Sequence, residues 1–406
     1  MRRLTTACLA LLGTLPLAAA EVTRAPGTPW ARHVIDATSR GADGVKLGDL
    51  NGDGRPDLVT GWEEGGVVRA YLHPGAGRVR SPWPAVTVGA VTDAEDAVFA
   101  DLDGDGRLEV VSATEGRTRR VYWHRPPAAG ADLLDPRGWT TTAFPALAGS
   151  RQWMQLLPLQ LDGEHGPDLI VAAKGAGSPI GWLRAPANPA AVADWSFTPL
   201  RDADWVMSLH AHDFDGDGDA DLLFSDRKGA RAGLFWLENP GAAANQARLP
   251  WREHALGALG REVMFADLAD LDGDGRPEVL AAVKPRDIVI LRAESGGRWR
   301  EEILSLPPEG LGDAKAVRAA DLNGDGRVDL VFSCEHARGE LEGVVWLERR
   351  TDGGWWQRSL AGAPGVKFDL VQVLDLDGDG DLDVLTCEET EGLGVIWYEN
   401  PFRRRP

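Results

Sequence analysis

Six loops of this chain carry oxygen-bearing side chains at alternating positions, the pattern that surrounds a hard cation with ligands. Each fits D-x-[DN]-G-D-G-x-x-[DE]. Side chains at the first, third, fifth and ninth positions, with a backbone carbonyl from the seventh, match the six to eight oxygens that calcium takes. The candidate ligands are Asp49, Asn51, Asp53, Arg55 and Asp57 in the first loop and Asp101, Asp103, Asp105, Arg107 and Glu109 in the second. The fourth copy offers Asp213, Asp215, Asp217, Asp219 and Asp221, and the fifth Asp270, Asp272, Asp274, Arg276 and Glu278. Asp321, Asn323, Asp325, Arg327 and Asp329 follow in the sixth, then Asp375, Asp377, Asp379, Asp381 and Asp383 in the seventh. Glycines at the fourth and sixth positions, Gly52 and Gly54 in the first copy, permit the positive φ of a sharp turn. The third copy, QLDGEHGPD from Gln160, is degraded: Gln160 replaces the first carboxylate and His165 the second glycine, leaving Asp162, Glu164 and Asp168. About six calcium ions are therefore expected. A single such loop could be a plain solvated turn, a reading that six near-identical copies make hard to sustain.

A second set of candidates lies just upstream of the loops. The residue three before each first position is Lys46, Val98, Leu157, His210, Asp267, Arg318 or Gln372. Strand alternation points these away from the apolar residues on either side, toward a central channel. His210 as base, Lys46 or Arg318 stabilising negative charge, and Asp267 opposite would suit a lyase or dehydratase, while polarity for solvation alone is the blander reading. His210 and His212 also form an H-x-H pair on one strand face, where a transition metal is conceivable. Trp62, Trp153 and Trp205 stand outside the repeating register and, with Arg151, Asp204 and His210, form a candidate ligand site, against the alternative of ordinary packing. Neither a Ser-His-Asp order nor a phosphate-binding glycine loop nor zinc spacing is present.

The elements that must position these groups are strands. Around the loops run VKLGDL and DLVTG, AVFADL and EVVSA, AVRAAD and DLVFS, short and β-branched. An EF-hand is excluded, because its twelfth-position Glu is Thr60 in the first loop and Ser112 in the second. After each outgoing strand comes an aromatic strand, such as LFWLENP at Trp236 or VIWYENP at Trp397, then a Trp followed five residues later by an apolar residue, as in Trp251 and Leu256. The whole pattern returns roughly every 50 to 60 residues, the mark of repeated supersecondary units. The expected fold is all-β: a seven-bladed β-propeller of four-stranded antiparallel blades, closed by an N-terminal strand (29–36, with Trp30 and Ile35 at the outer-strand spacing) joining the last blade. Blade ranges are approximately 45–88, 97–144, 152–200, 205–256, 262–304, 314–360 and 366–399, in one domain over 21–406.

The loops and their period resemble the FG-GAP or VCBS repeat family, the calcium-loop propellers also found in integrin α-subunit heads. That resemblance covers essentially the chain after its leader and implies the propeller fold and bound calcium. It leaves adhesion, lectin and polysaccharide-lyase roles open. More narrowly, Trp30 with His33 and Trp251 with His254 are similar to the W-x-x-H outer strands in the propeller part of aldos-2-ulose dehydratase, which implies a carbohydrate-directed activity.

Composition adds a compartment and excludes partners. MRRLTTACLALLGTLPLAAAE has two arginines, an apolar run and an A-x-A end, so residues 1–20 are read as a signal peptide and the protein as secreted or periplasmic. No later stretch would span a membrane. The formal net charge is −19, and six calcium ions would return roughly twelve positive charges. No nucleic-acid partner is expected, and the terminal Arg403, Arg404 and Arg405 read as a solvated tail. Cys334 and Cys387 form either a disulfide or two buried thiols. The expected role is a monomeric binding module for carbohydrate or a cell-surface or protein ligand, on the face away from the calcium loops; the alternative is a carbohydrate lyase or dehydratase using the channel.

Overall fold

A computed structural model describes residues 21–149, 151–246, 248 and 250–402. Residues 1–20, read above as a signal peptide, and the terminal arginines lie outside them. The fold is an all-β propeller, its strands organised by the repeat. In each repeat the strand leaving the loop is buried along both faces, as in Asp57–Trp62, Glu109–Thr114 and Asp383–Glu388. Such a strand is covered on both sides by neighbouring units. Its sequence therefore runs apolar without alternating.

The expectation of seven separate four-stranded blades is corrected here: the strands form six hydrogen-bonded sheets, of five, four, six, four, four and four strands. Repeats three and four share one sheet of six. Two 17-residue strands, Asp168–Arg184 and Ser196–His212, run through the place where other repeats break. Lys174 pairs with Trp205 and, after a register shift, Ser178 pairs with Ala203, so the ladder continues past the reversal. Gly175 and Gly177, at φ of +112° and +64°, let the backbone turn while it stays paired. Arg201 pins this crossing. Its guanidinium bonds Asp226 at 2.9 Å and Glu253 at 2.5 Å and lies over Phe224 and Phe235, almost fully buried.

The sixth repeat carries the fifth strand. Val22–Arg24 lies parallel to Trp355–Ser359, with Val22 opposite Trp355. Ala31–Asp36 pairs antiparallel with Gly394–Glu399. Apolar clusters bridge neighbouring repeats; one joins Ile35, Val45, Trp62 and Tyr71 to Leu385, Cys387 and Trp397. Cys334 and Cys387 are buried free thiols. Among the described residues no helix is long and apolar enough to cross a membrane.

Candidate functional site

The six full loops share one hydrogen-bond skeleton. The ninth-position carboxylate accepts from the backbone N–H of the second residue: Leu50 to Asp57 at 2.9 Å, Leu102 to Glu109 at 2.7 Å, Phe214 to Asp221 at 2.9 Å, Leu376 to Asp383 at 3.0 Å. The first carboxylate accepts from the sixth-position glycine, at 2.9 Å for Gly54 and Asp49 and at 3.1 Å for Gly380 and Asp375. These bonds hold the carboxylates inward. In the second loop, oxygens of Asp101, Asp103, Asp105 and Glu109 all lie within 4.8 Å of one another, as do those of Asp213, Asp215 and Asp221, and of Asp270, Asp272 and Glu278. The oxygen-only donor set, crowded and partly buried, fits a hard divalent cation. Burial first, then the neighbouring carboxylates, pushes Glu109 up to about 8 and Asp383 to about 7.

The third loop keeps the skeleton but not the crowding. Leu161 N–H still reaches Asp168 at 3.2 Å. Arg184 bonds Asp162 at 2.5 Å and Glu164 at 2.9 Å, and the Gln160 amide donates to the carbonyls of Glu164 and Gly166. Here the chain supplies its own cation.

Among the channel residues, His210, Asp267 and Arg318 come together on adjoining repeats. His210 Nε2 donates to the Ala266 carbonyl at 2.9 Å, and Arg318 pairs with Asp267 at 3.2 Å. Burial, then the Arg318 charge, lowers His210 to about 4. Lys46 instead pairs with Asp96 at 2.9 Å, and Gln372 donates to the Val45 carbonyl. Each polar group is thus used to stitch one repeat to the next.

The tryptophan cluster is not assembled. Trp62 is fully buried, donating to the Tyr71 hydroxyl at 2.9 Å, and Trp153 is buried with its indole N–H on the Leu147 carbonyl. Neither offers a face to a ligand, and the expectation that they do is corrected. Trp205 is half-buried, with Lys174, Arg227 and Lys228 within 4.5 to 4.9 Å of its ring centre. Arg151 is exposed, and Asp204 accepts from Gly177 N–H. His212 packs edge-on to Phe214 rather than joining His210.

Simple alternation misses the residues that fill this end of the channel. Six inner strands change register near their start, between Ala94 and Asp96, Trp153 and Gln155, Val206 and Ser208, and at the matching sites of the other three. Such a bulge re-aims a side chain. The sixth residue before each loop is Asp43, Glu95, Met154, Met207, Met264, Lys315 or Asp369. The methionines meet in one apolar cluster. The charged four interact: burial, then Glu95, Glu389 and Asp369, pushes Asp43 well up, while Lys315 lies 3.7 Å from both Asp369 and Glu335. Lys174 with Glu115, Lys284 with Glu335 and Lys367 with Glu389 extend this into a buried charge cluster in which carboxylates outnumber lysines.

Open space lies instead at the rim, beside the loops. A groove of about 800 Å³ between repeats four and five is lined by Phe214, Trp236, Trp299, Glu238, His254 and Asp215, among others. Its floor is a stack: His254 lies on Trp236 at 4.1 Å and 9°, and Phe214 on Trp236 at 5.3 Å and 27°. Glu238 holds His254 Nε2 at 2.6 Å, fixing the ring. Trp299 and Phe214, both half-buried and set edge-to-face at 6.0 Å and 66°, line the groove beside a carboxylate and an imidazole. A signal for this groove was present: Phe214 stands where every other loop copy has leucine.

Comparison with known proteins agrees with this architecture. The model of an FG-GAP-like repeat matches residues 49–112 and 270–332, so the chain carries FG-GAP-like repeats in two regions. Over 233 residues it is 23% identical to aldos-2-ulose dehydratase of Phanerodontia chrysosporium, a match covering 52% of this chain and 25% of that protein. The chain thus spans about a quarter of the length of that curated relative. A crystal structure of BBS1N in complex with ARL6DN, soaked with lead, superposes with a TM-score of 0.55 at 12% identity, covering 93% of this chain and 98% of that one. Its mercury-soaked counterpart gives 0.51 at 13% identity, covering 93% and 99%. At these identities the likeness is one of fold.

Proposed function

We propose that this protein is an extracytoplasmic, calcium-bound propeller that binds carbohydrate in the rim groove between repeats four and five. The observation that carries the reading is the groove itself, where Trp299 and Phe214 flank Glu238 and His254. Aromatic surface takes the apolar face of a sugar ring, while carboxylate and imidazole take its hydroxyls. The leader-like first twenty residues support an exported protein. Calcium would be held by the ligands of the six full loops, neutralising their carboxylates; Phe214 and Asp215 belong to one such loop and also line the groove, so the metal would support the groove wall.

The runner-up is a carbohydrate lyase or dehydratase acting through His210, Asp267 and Arg318, supported by the partial similarity to aldos-2-ulose dehydratase. A glycan-array screen in calcium, paired with product analysis of the same polysaccharides, separates the two. Saturable binding without new products, lost in Trp299→Ala, is the expected result. Turnover lost in His210→Ala would replace the binding reading with the enzymatic one.

A further inference from the structure

A second cavity, of about 620 Å³, lies between repeats five and six and is lined by Arg292, Arg300, Glu302, Arg349, Asp352 and Glu21, among others. A single strand, Arg298–Ser305, divides it from the aromatic groove. Side chains alternate across a strand. Trp299 accordingly lines the groove, whereas Arg300 and Glu302 line the second cavity.

The arginines of this cavity are not equivalent. Arg292 is committed to Glu278 at 2.8 Å and Asp272 at 3.1 Å, and Arg350 is paired with Asp352. Arg349 lies over the Trp355 ring at 4.4 Å, and among the described residues no carboxylate comes within 4.0 Å of its guanidinium. Half-buried, it feels the attraction of Glu302 and the opposing charge of Arg292, but its guanidinium has no direct ion-pair partner among the described residues. A guanidinium fixed flat on an indole presents a fork that matches a carboxylate in its plane. Nearby Glu302, Asp352 and Glu21 make the cavity a poor host for a doubly charged phosphate, yet they can accept hydroxyl protons.

We propose that this cavity receives the carboxylate of an acidic sugar, so that a uronate-containing polysaccharide crosses the Arg298–Ser305 strand with one ring in the aromatic groove and a neighbouring carboxylate on Arg349. The inference rests on the carbohydrate reading above and adds the charge class of the ligand.

The test is calorimetric titration of the full chain, in calcium, with oligogalacturonate and with the same oligomer after carboxyl reduction. The native protein is expected to bind the acidic oligomer at least tenfold more tightly than the neutral one. Arg349→Met should bring the two affinities together, and Trp299→Ala should weaken both. Arg349→Lys, which keeps stem and charge but not the fork, should lose most of the preference and guards against a folding defect in the Met variant. Equal native affinity for the two oligomers, or a preference unchanged in both Arg349 variants, overturns the inference and leaves the carbohydrate reading standing. Binding of neither oligomer overturns the inference; failure of the glycan screen as well overturns the reading beneath it.

Discussion

Arg201 shows how one side chain can hold two repeats together. Nearly all of its guanidinium is removed from water, and it is matched by Asp226, Glu253 and two aromatic faces. Truncating one partner of a buried pair leaves the other charge uncompensated, so Arg201→Ala should lower stability by about 3–5 kcal/mol in urea unfolding. A loss under about 1 kcal/mol would show that water reaches Asp226. His124 makes a separate prediction. Its ring bonds Ser112 and Thr141, and burial lowers it to about 3 from an ordinary value near 6.5; His210 falls to about 4. The unfolded chain takes up these protons near 6.5 and the folded chain does not. Their contribution is therefore complete above that pH and is lost as pH falls toward 4, at up to about 1.4 kcal/mol per unit for each ring. Urea midpoints measured in calcium from pH 7.5 to 4.5 should fall more steeply in the native protein than in His124→Asn.

The loops are the elements that the sequence made most legible, because ligand geometry demands fixed residue types at fixed spacing. Their shared skeleton, from Leu50 and Asp57 to Leu376 and Asp383, follows the pattern residue by residue. Asp270→Ala removes a first-position carboxylate, so calcium titration of that variant should count one ion fewer than the native protein; an unchanged count would remove the fifth loop from the metal assignment. Other elements were harder to read. No residue type announces that the strand from Asp168 continues through Lys174, Gly175 and Gly177, since that depends on pairing with Trp205 and Ala203 across the reversal. Six sheets rather than seven is the consequence. Alternation counted back from the loops breaks six residues upstream of them, where a bulge turns Met207 and its equivalents. Tryptophan is ambiguous in sequence. Trp62 and Trp153 went to the core, whereas Trp299, on the strand Arg298–Ser305, lines the groove between repeats four and five.

At the scale of the molecule, the repeat places two kinds of surface at opposite ends of its strands. The end away from the loops is filled by interacting charges, with Lys315 close to Glu335 and Asp369. The loop end carries the open grooves, whose walls come from two repeats at once. That is why neither groove is visible within any one repeat of the sequence. Binding at such a junction couples ligand affinity to the packing of adjacent repeats, and calcium in the fourth and fifth loops would stiffen both sides. The most direct test is a saturation titration of native and Trp299→Ala protein with the glycan that the array selects, in calcium, alongside thermal melting of each. A loss of at least tenfold in affinity, about 1.4 kcal/mol, with the melting temperature unchanged is predicted; a variant that binds as the native protein does would contradict the rim-groove account.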